Sequence, residues 1–183
     1  RIVTLTEAKA HMNVDYPDHD SEIGAYLDTA IAHVDGYAGT LARALAPQTW
    51  RQSFDEFGEC MRLPLAPVQS ITSVEYTNTA GSSVPVANTV YELRADEIGP
   101  YVALKYDQDW PSDVRDHAAS VRIDYLAGYQ DVDAVPPTVK LSVKQMVAHW
   151  YEHRESVVSG PPVNEVPMTV KTLLAPLVRT GLD

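Results

Sequence analysis

The fold is decided first by residues 21–38, which read SEIGAYLDTAIAHVDGYA. Apolar residues recur along this stretch every three or four positions, which is the spacing of one face of an α-helix. Asp20 or Ser21 can cap the helix at its start, and Gly39 is a suitable stop. The apolar stripe consists of Ile23, Leu27, Ala30, Val34 and Tyr37, widened by Ile31 and Ala38. We therefore predict a helix over residues 21–38 that buries one face.

A short helix is predicted ahead of this stretch, over residues 5–13. Thr4 and Glu7 have the spacing of a capping box, in which each residue satisfies a backbone amide of the other. Leu5, Ala8 and Met12 then fall three and four positions apart. They share one helical face, so this helix should also pack against a neighbour.

A third helix is predicted over residues 137–156. Pro136 and Pro137 end the preceding segment, and proline is well tolerated at a first helical position. The apolar stripe of this helix consists of Val139, Val143, Met146, Val147 and Trp150. Such a stripe predicts packing against the helix of residues 21–38.

The segment of about residues 47–128 has a different pattern. Here β-branched and aromatic residues alternate with polar ones, which is typical of strands. No helix-length connection separates the candidate strands, so they should pair antiparallel. The strands are expected around Thr49–Phe54, Ile71–Tyr76, Val84–Val86, Val90–Arg94, Tyr101–Tyr106 and Val121–Leu126. The predicted fold class is therefore α+β, with three main helices and a β-rich antiparallel insertion between the second and the third.

The last residues, 159–183, are predicted to form a linker and a docking arm beyond a domain of residues 1–158. Prolines in the segment 159–167 prevent the third helix from continuing. The arm carries apolar residues at helical spacing, although Pro176 limits any helix to one or two turns. These candidate partner-binding residues are Val170, Leu173, Leu174 and Leu177. Because so short a helix is unstable alone, it needs a surface, either its own domain or another protein chain.

Composition restricts the classes of function. The 183 residues include 25 acidic and 14 basic side chains, for a net charge of -11, which disfavours binding to nucleic acid through phosphate neutralisation. We expect no sequence-specific nucleic acid binding. With 45% hydrophobic residues the chain should form a folded core. One cysteine, Cys60, precludes an internal disulfide and favours the cytoplasm.

Motifs for membranes and cofactors are not found in the sequence. The longest apolar runs are far shorter than the roughly 20 residues that a spanning helix needs, and the first residues do not form a secretion signal. We therefore expect a soluble protein without membrane contact. Glycine-rich phosphate loops and a Gly-x-Ser-x-Gly element are lacking. The sequence thus predicts no cofactor and no catalytic residue.

One segment resembles the catalytic motif of a zinc-dependent hydrolase. His149, Glu152 and His153 follow the order H-x-x-E-H, in which two histidines on one helical face bind zinc and the glutamate acts as a base. A catalytic zinc also needs a third protein ligand, and none stands out in the thirty residues that follow. A small metal-dependent hydrolase is therefore kept as the alternative hypothesis.

The layout of the whole chain resembles the small head-tail connector, or adaptor, proteins of long-tailed phages and of the related gene transfer agents. No single segment is diagnostic, but their order and spacing are specific. The segments are Leu5–Met12, the Asp-rich loop before residue 21, Ala46–Arg51, Arg62–Ile71, Trp110–Pro111, Tyr125–Tyr129, Val135–Pro137, His149–Glu155 and Leu173–Pro176.

The resemblance implies a non-enzymatic structural protein of the virion, without metal or cofactor, assembled in the host cytoplasm. It implies a ring of about twelve copies under the portal protein, which also receives a stopper or tail-completion protein and lets DNA pass. In such proteins the C-terminal arm docks onto the portal, and this assigns that role to residues 159–183. Another phage capsid or tail accessory protein is a third alternative.

Overall fold

A computed structural model of the chain describes residues 1–153 and 167–178. The chain divides into two compact units. The first unit comprises Arg1–Ala46 and the described residues from Asp131 onward, and the second comprises Pro47–Gln130. The α-helices of the described residues belong to the first unit and the β-strands to the second. The predicted α+β class is confirmed, with four α-helices rather than three main ones in the described part of the chain.

The first unit begins with helix α1, Leu5–Met12. The predicted capping box is present, because the Thr4 side chain accepts from the Glu7 amide and the Glu7 carboxylate accepts from the Thr4 amide. The helix ends at Met12, one residue before the predicted end, and Asn13 caps it in the left-handed conformation. Sequence alone therefore located this helix almost to the residue.

Helix α2 spans Asp20–Val34 and is shorter than predicted. The stripe up to Val34 is buried as expected, but the helix does not reach residue 38. Asp35 adopts extended backbone and its carboxylate accepts a hydrogen bond from the Leu45 amide at 2.7 Å. This tertiary contact turns the chain away at residue 35, so Tyr37, expected in the buried stripe, is 61% exposed.

Helix α3 spans Pro137–Glu152, and His153 is its C-terminal cap. The predicted helix over residues 137–156 included His153, which is wrong because the helix ends at Glu152. Residues 154–156 lie outside the described residues. Helix α3 packs on α2, as predicted, and on α1. The division of the chain at residues 158 and 159 stays a prediction, because that boundary also lies outside the described residues.

The core of the first unit is built from the predicted stripes and from segments that the stripes did not include. Leu41, Ala44 and Leu45, which follow α2, are also buried. The buried apolar residues of α1, α2 and α3 are Ala8, Ile23, Leu27, Ala30, Val34, Val139, Val143, Met146 and Val147. No helix in the described parts of the chain is long and apolar enough to cross a membrane.

The second unit contains two sheets, and the predicted antiparallel pairing is present in both. Their strands are β1 Gln48–Phe54, β2 Met61–Arg62, β3 Val68–Thr77, β4 Ser83–Pro85, β5 Tyr91–Ala95, β6 Pro100–Leu104 and β7 Val121–Ala127. The four-stranded sheet has the order β1-β7-β3-β4, and the three-stranded sheet has the order β2-β6-β5. Strands β3 and β4 pair antiparallel, as expected for neighbouring strands of this segment.

Strand β7 lies inside the four-stranded sheet between β1 and β3. Its alternation is complete, since Val121, Ile123 and Tyr125 are buried and the residues between them are not. Period two puts these three side chains on one face of the sheet. Asp124 lies on the other face and accepts two hydrogen bonds from the guanidinium of Arg51 on β1, both at 2.7 Å.

Candidate partner-binding site

Helix α4, Met168–Leu174, carries three of the four residues that the sequence singled out for partner binding, Val170, Leu173 and Leu174. Pro167 precedes it, which fits the tolerance of helix starts for proline. The helix packs on α3. Val170 is completely buried and Leu174 is 2% exposed, so the inner side of α4 belongs to the core of the first unit.

The chain after α4 forms a 3-10 helix, Ala175–Leu177, that is attached to the same unit. Arg43 donates a hydrogen bond from its Nε atom to the backbone carbonyl oxygen of Leu177 at 2.8 Å. The Val178 amide donates to the Leu174 carbonyl oxygen at 3.2 Å. These two hydrogen bonds supply donors to carbonyl groups that have no donor within the helix at its C-terminal end.

The outward side of this segment is partly apolar. Met168 is 82% exposed and Val178 is 36% exposed. Leu173 and Leu177 are half-buried. Of the four predicted residues, Val170 and Leu174 therefore contact the chain itself, while the other two remain partly accessible.

Sequence reasoning missed two residues of this site. Met168 lies outside the apolar stripe, and only its exposure in the structure makes it a candidate contact residue. Arg43 is separated from Leu177 by 134 positions, so no local pattern connects them. Because every residue has a backbone carbonyl group, the type of residue at position 177 does not indicate that it accepts this hydrogen bond.

The end of α3 carries the two histidines that imitate a zinc site. The rings of His149 and His153 lie 4.7 Å apart between centroids. Nδ1 of His153 lies 3.0 Å from the His149 carbonyl oxygen, at hydrogen-bond distance. Among residues 1–153 and 167–178 no group of three or more His, Cys, Asp or Glu side chains could hold a metal ion. The described part of the chain thus provides two neighbouring histidines, whereas a catalytic zinc ion is held by three protein ligands.

An aromatic cluster ties the loop before α2 to the end of α3. The hydroxyl groups of Tyr16 and Tyr151 lie 3.2 Å apart at hydrogen-bond distance. The ring of His19 makes edge contacts with both tyrosines, at 5.5 and 5.7 Å between centroids. Trp150, half-buried, packs against Tyr26 of α2. The segment from residue 149 to 153 therefore borders the core.

In the second unit, the turn between β5 and β6 is held by a charged group. Asp96 accepts two hydrogen bonds from the Arg62 guanidinium, both at 2.6 Å, and two more from the amides of Ile98 and Gly99. Hydrogen bonding by Arg62 and by the Gly99 amide holds the pKa of the Asp96 carboxyl well below its usual range. The turn is thereby fixed in one conformation.

Comparison with known proteins gives results only at the level of structure. No family model and no curated protein matches the sequence. A chain from the neck of an empty gene transfer agent particle, computed with C6 symmetry, superposes with a TM-score of 0.75 at 24% identity, covering 100% of this chain and 92% of that one. A chain from the virion of a native gene transfer agent particle gives 0.72 at 23% identity, with the same coverage of both chains.

A third solved structure, the neck of a native gene transfer agent particle computed with C12 symmetry, gives a TM-score of 0.71 at 24% identity and covers 98% of this chain and 90% of that one. At these identities the similarity establishes a common fold. The structural resemblance to proteins of gene transfer agent particles that the sequence suggested is confirmed. Because nearly all of both chains is covered, the shared fold includes both units of the molecule.

Proposed function

We propose that this chain is a structural protein of the head-tail junction of a phage or gene transfer agent particle, where copies of it form a ring between the portal and the tail. The observation that carries the proposal is the likeness over the whole chain to a component of a particle neck, with a TM-score of 0.75. A shared fold alone does not establish a shared function, so the features of the candidate site must also be consistent with this role.

Ring formation is supported by the symmetry of the similar structures. Two of the necks are computed with C6 and C12 symmetry, so the chains in them are arranged around an axis. Cyclic assemblies use one surface of each subunit against a different surface of the next. A ring of about twelve copies of this chain is the corresponding proposal.

Docking to the portal is assigned to the arm, which includes Val170, Leu173, Leu174 and Leu177. Val170 and Leu174 hold the arm on α3, so contact with the portal falls to the outward residues. Leu173 and Leu177 are partly accessible, and Met168 and Val178 are exposed. Exposed methionine and leucine side chains suit a protein surface because they adapt to irregular apolar pockets.

The proposed ring surrounds DNA that passes through it and does not bind it. The net charge of -11 supports this, since an acidic surface repels phosphate groups and retains no counterion-release attraction. A stopper or tail-completion protein on the other side of the ring completes the proposed junction. Residence in the virion, after assembly in the host cytoplasm, follows from the same proposal.

An enzyme is the less favoured alternative. His149 and His153 lie near each other, but His153 Nδ1 is at hydrogen-bond distance of a backbone carbonyl oxygen and the described residues supply no third ligand. A metal-dependent hydrolase would need that ligand and an open coordination position. Another accessory protein of a phage capsid or tail is the remaining alternative.

The proposal is tested by mixing the purified chain with the portal protein of the same particle and imaging the mixture by negative-stain electron microscopy. We expect a ring of this chain stacked on the portal ring. A ring that binds tail proteins and leaves the portal bare would support the accessory protein instead. Free chain beside free portal would reject a role in joining them.

The arm is tested by substitutions on its outward side. Met168→Asp combined with Leu173→Asp should abolish portal binding and leave the fold intact, because both side chains are at least partly accessible. Thr29→Asp is the matched control, since Thr29 is an exposed polar residue of α2 and lies outside the arm. If the double variant bound the portal as well as the control did, the arm would not be the docking element.

A further inference from the structure

Tyr37 was expected to be buried in the stripe of α2, yet its side chain is 61% exposed. It lies after the end of α2 in a loop of residues 36–43, called the Tyr37 loop below. A single exposed tyrosine is common on protein surfaces and by itself indicates no function. Whether it can bind a partner depends on how rigidly the loop is held and on which segment is bonded to it.

Hydrogen bonds fix the Tyr37 loop at its base and in its middle. The Gly36 amide donates to the Arg43 carbonyl oxygen at 2.7 Å and closes the loop. The Thr40 amide donates to the His33 carbonyl oxygen of α2 at 2.8 Å, and the Thr40 hydroxyl donates to the same oxygen at 3.0 Å. The loop is therefore attached to the helix that precedes it.

Two backbone positions show that the Tyr37 loop is tightly folded. A Cβ atom at Gly39 would lie 2.3 Å from the Asp35 carbonyl oxygen, so only glycine fits there. Ala42 has a φ of 48°, in the left-handed region that costs energy for residues other than glycine. Such a conformation persists only where the surrounding contacts enforce it, so Tyr37 is carried by a preformed loop.

Arg43 joins the Tyr37 loop to the end of the arm. Its carbonyl oxygen accepts from Gly36 at the base of the loop, and its Nε atom donates to the Leu177 carbonyl oxygen at 2.8 Å. Leu177 is half-buried and Val178 is 36% exposed. An exposed aromatic ring and accessible aliphatic side chains thus occur on two segments that are bonded to the same residue.

These two segments are uncharged, although the chain as a whole has a net charge of -11. Residues 36–42 and 173–178 contain no Asp, Glu, Lys or Arg. The guanidinium of Arg43 donates to the backbone of the arm. Because burial of such segments removes no charged side chain from water, the cost of covering them is low. Aromatic residues without neighbouring charges are typical of the centre of a protein interface.

We propose that the Tyr37 loop is a second docking element for the portal protein, beside the arm. This inference rests on the proposed function, in which the outward residues of the arm contact the portal. A portal surface that covers Leu177 and Val178 lies close to the loop, because Arg43 holds the loop and the end of the arm together. A tyrosine on a preformed loop loses little freedom on binding and buries a large ring, so it suits the role of an anchor.

The other candidate occupant of this surface is a second copy of the chain. The portal is favoured because the loop is bonded to the arm, which is the segment assigned to the portal. Copies of this chain also carry the same net charge of -11 and repel one another at long range. Self-association is therefore measured beside portal binding in the test.

The test compares two exposed tyrosines in the full chain. Tyr37→Ser removes the ring from the loop, and Tyr106→Ser removes the same atoms from a turn of the second unit, where Tyr106 is 96% exposed. Binding to the immobilised portal protein of the same particle is measured over a range of concentrations. We expect Tyr37→Ser to weaken binding about tenfold, as is typical of an interface tyrosine, and Tyr106→Ser to leave it unchanged. Tyr37→Phe should keep most of the affinity, because it retains the ring.

Unchanged portal binding by Tyr37→Ser, or an equal loss in both serine variants, would overturn the inference and leave the proposed function standing. A fall in self-association of Tyr37→Ser, measured by sedimentation while portal binding persists, would overturn it as well, because the loop would then contact a second copy. A wild-type chain that does not bind the portal would reject the proposed function and this inference with it.

Hydroxyl-radical footprinting of the wild-type chain gives a second measurement that does not depend on the folding of a variant. Tyr37 should be oxidised in the free chain and protected in the complex with the portal, while Tyr106 stays reactive in both. Equal oxidation of Tyr37 with and without the portal would contradict its role as an anchor.

Discussion

Arg43 and Leu177 are joined by a hydrogen bond from the guanidinium Nε to the backbone carbonyl oxygen, at 2.8 Å, across 134 positions of sequence. Arg43 belongs to the segment after α2, and Leu177 ends the 3-10 helix that follows α4. The contact attaches Leu177 to the unit that α4 packs on. The described part of the arm, residues 167–178, therefore belongs to this unit through the apolar packing of α4 and this polar bond.

Replacing Arg43 with alanine should loosen the end of the arm without unfolding the first unit. A single hydrogen bond contributes about 0.5–1.5 kcal/mol, which is less than the packing of α4 provides. We expect faster hydrogen exchange at the Val178 amide and nearly unchanged exchange in α2 and α3. Arg115→Ala removes an exposed arginine of the second unit and serves as control. Equal protection of Val178 in both variants would show that Arg43 does not hold the arm.

Replacing Leu174 with alanine should destabilise the first unit by about 2–4 kcal/mol, because it leaves a cavity at a position only 2% exposed. The measurement is urea unfolding followed by circular dichroism. Leu173→Ala removes the same atoms from a half-buried position and should cost clearly less. If the two variants were equally stable, α4 would not be packed on α3 in solution.

The carboxyl group of Asp96 should titrate well below the usual value of about 4 for aspartate. Its folded-state pKa is lowered, so its stabilising effect is present above the unfolded pKa and is lost as pH falls through the folded pKa. NMR titration of the carboxyl carbon measures the midpoint. Arg62→Gln should raise it, since Arg62 is the largest cause, whereas Arg94→Gln should leave it in place. An unchanged midpoint in Arg62→Gln would contradict the assignment.

The purified chain should contain far less than one zinc ion per molecule. His149 and His153 form a pair without a third ligand among the described residues, and a tetrahedral site is built from three or four protein ligands. Metal analysis after purification without chelators gives the content. Stoichiometric zinc that is lost in the variant His149→Ala/His153→Ala would revive the hydrolase alternative.

Replacing Thr4 with alanine should cost about 1 kcal/mol, because the capping box of α1 loses the acceptor for the Glu7 amide. The pKa of Glu7, lowered chiefly by hydrogen bonds from the Thr4 amide and hydroxyl, should rise partway toward its usual value. Thr29→Ala, an exposed threonine inside α2, is the control for side-chain loss. Thermal unfolding and NMR titration give both quantities. A cost no larger than that of the control would argue against the box.

Local patterns located most of the elements. The predicted helical stripes are buried as far as Val34 and Val147, although Tyr37 is exposed and Trp150 is half-buried. The alternation of Val121, Ile123 and Tyr125 was correct, because periodicity follows directly from burial of one face. The α+β class and the structural resemblance to gene transfer agent proteins could also be predicted from the sequence. The predicted helix ends were less accurate, since they depend on contacts such as Asp35 to the Leu45 amide.

What the sequence by itself determined was which segments are helix or strand and which face of each is apolar. Only the tertiary structure decided which surfaces these faces meet. It divided the strands into two sheets, placed β1 beside β7, and turned Val170 and Leu174 toward α3. The physical reason is that the hydrophobic effect has no direction. An apolar stripe therefore predicts that a helix face is buried, but it does not predict which surface covers it. Hydrogen bonds from a side chain to the backbone, such as that from the Arg43 guanidinium to the Leu177 carbonyl oxygen, select the partner through geometry that the identity of the accepting residue does not indicate.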